Sequence, residues 1–305
     1  MLAARDVKQS PNPHFGPGRR GYAGSMRRAA LAGAAVTVGL AACGGGGSYA
    51  TVVDKIKNTG TVVVGTKWDQ PSLGLKIGQG EPQGFDADVA RYIVHHLTGG
   101  DVRITWRESP SSTREALLQN GTVDMIVASY SITESRKPKV TFGGPYAIVP
   151  QDTMVRADDT SIRQVNDLRG KRICLAEGSN SYRRIVDPPP DGKLNLPAHL
   201  VRAANYSDCV RKLENRQLDA VSTENLLLAG FAEQEPGRFR LLNQPITDEK
   251  WAVGLRKGDT ATCEAVNAAI ARMWHDGTTT RLLRKWFGKT DLVLPSTLPR
   301  PEGCP

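Results

Sequence analysis

"DADVARYIVHHL", residues 86–97, sets Val89, Ala90, Ile93, Val94 and Leu97 three and four residues apart. This is one apolar stripe with a polar back, the pattern of a helix laid on a sheet. Asp86 stands where an N-cap side chain belongs. Upstream, "TVVVGT" (61–66) is a short β-branched run. Downstream come "VRITW" (102–106), a helical stretch around 113–120, and "VDMIVA" (123–128). Strand and helix alternate, and that rhythm predicts a mainly parallel sheet flanked by helices.

A second set follows "GGPYAIVPQ" (143–151). It comprises strand "DTMVR" (152–156), strand "KRICLA" (171–176), a helix from about 180, helix "SDCVRKLEN" (207–215), strand "LDAVST" (218–223) and helix "ENLLLAGFAEQ" (224–234). "DPPPDGK" (187–193) is too rich in proline for either element and reads as a surface loop. "KWAVGLRKG" (250–258) is one more strand, followed by helices over 261–275 and 278–287. Two α/β units with returning terminal helices predict two lobes joined by more than one crossing, with a ligand between them at the carboxyl ends of the parallel strands.

A chain of 305 residues, 39% apolar, can bury one large core or two moderate ones. The formal charge of +9 suggests nucleic acid or a membrane surface, but it is unevenly placed. Six of the 40 basic residues and one of the 31 acids precede residue 43, which leaves 34 against 30, a net of +4. That is an ordinary soluble surface, and nucleic-acid binding is not expected.

The early excess belongs to "MRRAALAGAAVTVGLAAC" (26–43), a basic start and a 14-residue small, apolar run. It reads as a signal peptide; a membrane span needs about 20 apolar residues. Its end, "LAAC" (40–43), resembles the bacterial lipobox, which implies lipidation of Cys43. The polar, Gly- and Pro-rich residues 1–25 read as an extended leader or a misassigned start, and the twin arginines at 19–20 and 27–28 leave the export route open. "GGGG" (44–47) lacks the strand and the Lys-Ser or Lys-Thr of a phosphate loop and reads as a tether.

Without Cys43 four cysteines remain, an even number suited to an oxidising compartment. Of three possible pairings, Cys174 with Cys209 and Cys263 with Cys304 is favoured, the second pinning the tail to a late helix. A zinc site competes poorly, because no CxxC or HxxxH spacing occurs and His95 and His96 are adjacent. Neither metal nor cofactor is expected. The expected organisation is leader and signal peptide 1–43, tether 44–50, lobe 1 from 51–148 plus 250–290, lobe 2 from 149–249, and a tail 291–305.

Polar residues crowd the predicted strand ends. In "SYSITESRKPKV" (129–140), Ser131 or Thr133 can cap a following helix, and Glu134 completes a capping box with Ser131. Arg136 then opposes the helix dipole, which makes sense if an anion sits there. "EGSNSYRR" (177–184) puts Ser179, Asn180 and Ser181 at another helix start, a second anion site. Two such turns facing each other form a carboxylate clamp, with Arg136 as a bidentate fork. Glu224, directly after "LDAVST", offers a partner for an ammonium. Carboxylate and ammonium subsites together describe an amino acid.

"GFDADVA" (84–90), "SYSITESRKPKVTFGGPY" (129–146), "DLRGKRICLAEGSNS" (167–181) and "LDAVSTENLLLAG" (218–230) resemble, in that order, the family 3 amino-acid-binding proteins of ABC importers. "GTKWDQPSLGLK" (65–76) and "WRESPSSTREALLQNGTVDMI" (106–126) are similar to actinobacterial glutamate-binding lipoproteins. The resemblance spans residues 50–288. It implies a two-lobed periplasmic-binding-protein (type II) fold with a two-strand hinge, acting as a monomer with membrane permease subunits. It implies that Arg136 and Ser131, with Ser179 to Ser181, hold an α-carboxylate, and that the Ser129 carbonyl and Glu224 take the α-ammonium. The family usually has aspartate at the position of Glu224. Ser111 and Arg114, with Lys67 as second cation, would meet a side-chain carboxylate, and Tyr206 would add a polar contact. Glutamate, or aspartate, is therefore expected over glutamine.

Catalysis is the first rival reading. It finds only Glu224 as a cleft acid and no Ser-His-Asp or Cys-His arrangement. A sensor that signals to a membrane partner needs the same closure, and the sequence does not separate it from an importer.

Overall fold

The computed structural model describes residues 49–305. The signal peptide, Cys43 and residues 44–48 of the tether lie outside the described residues. In chain order the elements are α1 (Val52–Thr59), β1 (Thr61–Thr66), β2 (Asp69–Gln70), β3 (Gly74–Leu75), α2 (Phe85–Thr98), β4 (Arg103–Glu108), α3 (Arg114–Gln119), β5 (Met125–Ile126) and β6 (Val140–Arg156). Then come a short 3-10 turn (Val165–Leu168), β7 (Arg172–Ala176), α4 (Ser181–Val186), β8 (His199–Ala203), α5 (Tyr206–Glu214), β9 (Val221–Glu224), α6 (Asn225–Gln234), β10 (Phe239–Leu241), β11 (Asp248–Arg256), α7 (Thr260–His275) and α8 (Thr278–Phe287).

Pairing is parallel where the βαβ pattern predicts it. β1 runs parallel to β4 and β5, and β7 runs parallel to β8 and touches the start of the β9 region through Ile173 and Ala220. Antiparallel pairs arise where two long strands join the lobes. β6 pairs with β11 from Val140 to Pro150, then with β9 and β10 from Gln151 to Arg156. β11 returns beside it to pair with β5. The chain therefore crosses between the lobes on two adjacent strands, and the expected lobe boundaries, 148/149 and 249/250, fall inside them.

The glycines and prolines of "GGPYAIVPQ" suggest a break, yet this stretch continues one 17-residue strand. Proline lacks one donor, but it can sit where a ladder bond is not required, and neighbours on both sides hold the strand. The run at 123–128 is strand only at Met125–Ile126. α1, β8 and β10 add to the elements read from sequence.

On α2 the predicted stripe is fully buried, with Phe85 added at its start. Asp86 is not the N-cap. Gly84 takes that position with φ +139°, and a Cβ there would lie 2.2 Å from the Leu73 carbonyl, so only glycine fits. One core packs α1, α2, α7 and α8 on the first lobe and extends into the second around Cys174, Cys209 and Leu226. A separate cluster of Val155, Ile162, Leu168, Ile173 and Ile185 fills the far side of the second lobe. Among the described residues no helix is long and apolar enough to cross a membrane.

Disulfides join Cys174 to Cys209, tying β7 to α5, and Cys263 to Cys304, tying α7 to the tail. This is the favoured pairing. The tail is docked further by Glu302, whose N–H donates to the Gly144 carbonyl and whose carboxylate meets Lys137 and Lys250. The Cys263–Cys304 bridge spans 41 residues. Chain entropy for such a loop contributes about 4 kcal/mol. Replacing both cysteines by alanine is therefore expected to lower the calorimetric melting midpoint by about 10 °C; an unchanged midpoint would show that the bridge constrains nothing.

Candidate functional site: a charged cleft between two lobes

All the side chains picked from sequence for the ligand site converge at one place. Lys67 follows β1, Ser111 and Arg114 follow β4, and Ser129 to Arg136 follow β5. From the second lobe, Ser179 to Ser181 follow β7, Tyr206 follows β8, and Glu224 ends β9. Most follow the carboxyl ends of parallel strands, the position from which α/β sheets present ligand groups, while Glu224 ends β9, which pairs antiparallel to β6.

The two lobes touch across this cleft. Ser207 Oγ donates to the Asp69 carbonyl at 2.8 Å, and Ser131 Oγ donates to Glu224 Oε1 at 3.0 Å. A Cβ on Gly178 would lie 2.3 Å from the Ser111 carbonyl, so this turn closes on its neighbour only because it is glycine.

Arg136 does not sit in a helix. Residues 133–139 form successive turns, since the Ile132 N–H goes to the Lys250 carbonyl and Ser131 bridges to Trp251. Ser131 and Thr133 therefore cap nothing, no capping box with Glu134 forms, and the opposed-dipole argument for Arg136 falls away. Its burial carries the case instead, at 5% exposed. The guanidinium donates to the Ser131 carbonyl (2.8 Å), the Gly178 carbonyl (3.0 Å) and Asn180 Oδ1 (3.3 Å), and Glu115 Oε1 lies 3.5 Å from Nε. It thereby spans both lobes.

Arg114 is 2% exposed and far less satisfied. Among the described residues it donates only to the Ala128 carbonyl, at 3.4 Å, and its Nε has no partner. Its guanidinium lies 3.8 Å from the centre of the Tyr130 ring, which Arg136 also faces at 5.3 Å. The ring's negative face helps hold two cations side by side. Lys67 is buried next to them, its Nζ donating to Ser111 Oγ at 2.7 Å.

On the opposite wall Glu224 accepts from Ser131 Oγ, from Trp251 Nε1 at 3.0 Å and from Thr223 Oγ1. Tyr206 is hydrogen-bonded to Ser179 Oγ at 2.6 Å and donates to Ser181 Oγ at 3.0 Å, which fixes the turn before α4. Burial first, then the Glu224 charge, pushes the phenol up to about 12. Ser129 has φ +43°; its N–H donates to Asp86 Oδ2 at 2.6 Å and its hydroxyl to Gln70 Oε1 at 3.1 Å. Asp86, Tyr130, Gln70 and Trp251 belong to the cleft although sequence reasoning did not select them. "GFD" before the helix was the only signal for Asp86, and it read as capping. Among the described residues no cluster able to hold a metal occurs, and the adjacent His95 and His96 form none.

Burial sets the electrostatics. It pulls Lys67 down to about 7, with Arg114 adding to the effect, and Arg136 down to about 10, again helped by Arg114. It pushes Asp86 up to about 7, against hydrogen bonds from Tyr146 and Ser129 and with help from Glu224. Both buried groups therefore cost stability near neutral pH. For Lys67 the cost is full below about pH 7 and is lost toward pH 10, where the unfolded chain also deprotonates. For Asp86 it grows from about pH 4 and is full above about 7. Lys67→Met is expected to raise the melting midpoint at pH 7 by a few degrees, worth about 1–3 kcal/mol. It should also flatten the rise in stability between pH 7 and 10; a lowered midpoint would mean that the ammonium is a net stabiliser.

Residues 62–289 match the bacterial extracellular solute-binding proteins, family 3. Over 288 residues the chain is 39% identical to the glutamate-binding protein GluB of Corynebacterium glutamicum, covering 90% of this chain and 94% of that one. It is 32% identical over 258 residues to the ABC transporter glutamine-binding protein GlnH of Bacillus subtilis, covering 81% and 92%. Among solved structures, an ancestral arginine-binding protein bound to glutamine superposes with a TM-score of 0.67 at 30% identity, over 75% of this chain and 99% of that one. The two crossing strands and the strand-end cleft are thus those of the two-lobed type II periplasmic-binding fold, and the chain belongs to family 3 of the bacterial extracellular solute-binding proteins, a binding protein rather than an enzyme.

Proposed function

We propose that this protein captures L-glutamate, with aspartate as a possible second ligand, and delivers it to the permease of an ABC importer. The reading includes export and a lipid anchor at Cys43, and closure of a lobe of 51–148 plus 250–290 onto a lobe of 149–249 about β6 and β11.

One observation carries the ligand assignment. The cleft buries three cations, Lys67, Arg114 and Arg136; among the described residues Lys67 and Arg114 pair with no carboxylate, whereas Arg136 has Glu115 at 3.5 Å. A dicarboxylic amino acid brings a second carboxylate to Lys67 and Arg114. An amide ligand leaves these two buried cations facing a neutral group, which costs several kcal/mol. In this assignment Arg136, Ser131 and the turn Ser179 to Ser181 take the α-carboxylate, which displaces the long Arg136 to Asn180 contact. The Ser129 carbonyl and Glu224 take the α-ammonium. Arg114, with its unpartnered Nε, and Lys67, bonded to Ser111, take the side-chain carboxylate. Tyr206 fixes the serines of the turn. The glutamate-binding proteins of two Corynebacterium species, to which the chain is similar, support this reading.

A glutamine receptor is the second reading, favoured by the similarity to glutamine-binding proteins of Bacillus subtilis and Geobacillus stearothermophilus. Isothermal calorimetry separates the two. Glutamate is expected to bind at micromolar or better, about −8 kcal/mol, and glutamine at least about 100-fold more weakly. Arg114→Ala should cost glutamate about 100-fold and glutamine under about tenfold, whereas Arg136→Ala should weaken both. Tight glutamine binding with weak glutamate binding would overturn the assignment.

A further inference from the structure

Asp86 is fully buried, and among the described residues no lysine or arginine pairs with it. A lone buried carboxylate is expensive, and α2 does not need it, because Gly84 holds the N-cap. Both of its oxygens are spent on the cleft instead. Oδ2 accepts from the Ser129 N–H at 2.6 Å and Oδ1 from the Tyr146 hydroxyl at 2.7 Å. Ser129 is the residue held at φ +43°, a region that a side chain adopts only under constraint. Two residues on, Ser131 donates to Glu224. The segment 129–131 thus runs between two buried carboxylates, one from each lobe.

We propose that Asp86 is a positioning residue of the ammonium subsite: it locks Ser129 in the left-handed conformation that aims its carbonyl into the cleft, and its charge joins that of Glu224 in demanding a cation there. This rests on the reading that an α-ammonium binds at Ser129 and Glu224. The consequence is selectivity by what the ligand must carry. A dicarboxylate of the same length without an amino group brings no cation to Asp86 and Glu224, and is rejected.

The test compares glutamate with glutarate, by calorimetry and by displacement at millimolar concentration, on the full chain and on two variants. Asp86→Asn keeps an acceptor for Ser129 and a partner for Tyr146 but removes the charge. It is expected to narrow the preference for glutamate over glutarate by about tenfold or more. Tyr146→Phe keeps the carboxyl group but removes one anchor and one hydrogen bond that favours its charged form, and should narrow the same preference a few-fold. If both variants lose the two ligands in equal proportion, Asp86 is merely structural and the proposal is overturned. If the unsubstituted protein itself shows no preference for glutamate, the ammonium-subsite reading fails independently of Asp86.

Discussion

Burying charge without cancelling it inside one element is the constraint on which this cleft depends. A lone ammonium or guanidinium in a dry interior is unstable unless something opposite is brought to it. Here Arg114 and Arg136 lean on one tyrosine ring and on carbonyl oxygens, and Lys67 leans on a serine hydroxyl. Among the described residues none has a close carboxylate partner except Arg136, which meets Glu115. Such a set is poorly suited to stability and well suited to taking up anions, because the unpaid solvation of the cations becomes the driving force for a carboxylate to enter.

The fold makes this arrangement possible by drawing the groups from both lobes. The three cations and Asp86 stand on one lobe and Glu224 on the other, where it accepts from Ser131 and Trp251 across the cleft. β6 links the two sides, since it pairs with β11 before the crossing and with β9 and β10 after it, while β11 pairs with β6 and β5. Contacts between the lobes include Ser207 on Asp69, Gly178 on Ser111, Arg136 on Gly178 and Ser131 on Glu224.

Much of the architecture was legible because it rests on short-range rules. Apolar spacing three and four apart identified α2 and its buried face, and short apolar runs identified β1 and β7. The polar residues at strand ends were legible for a related reason. In a parallel sheet the carboxyl ends of strands gather at one edge, so a serine or arginine just past a strand is already placed near others. Where local rules compete with tertiary ones, they misled. Ser131, Thr133 and Glu134 fit a capping box, but the backbone there is captured by β11 and never turns into a helix. The strand read at 152–156 is only the end of β6, because pairing on both flanks carries that strand back through Pro150 and Pro145 to Val140.

The sequence by itself determined the alternation of strand and helix, the even cysteine count, and which polar residues follow strands, because these depend on neighbours within a few positions of the chain. Only the tertiary structure decided that Asp86 faces the cleft instead of capping its helix, that Trp251 and Ser131 meet Glu224, and that Arg114 keeps a buried nitrogen without a partner. The physical reason is that the cost or value of a charge depends on what surrounds it in three dimensions. A residue's nearest neighbours in sequence do not reveal whether water, a carbonyl or another charge will stand beside it once the lobes have folded and met.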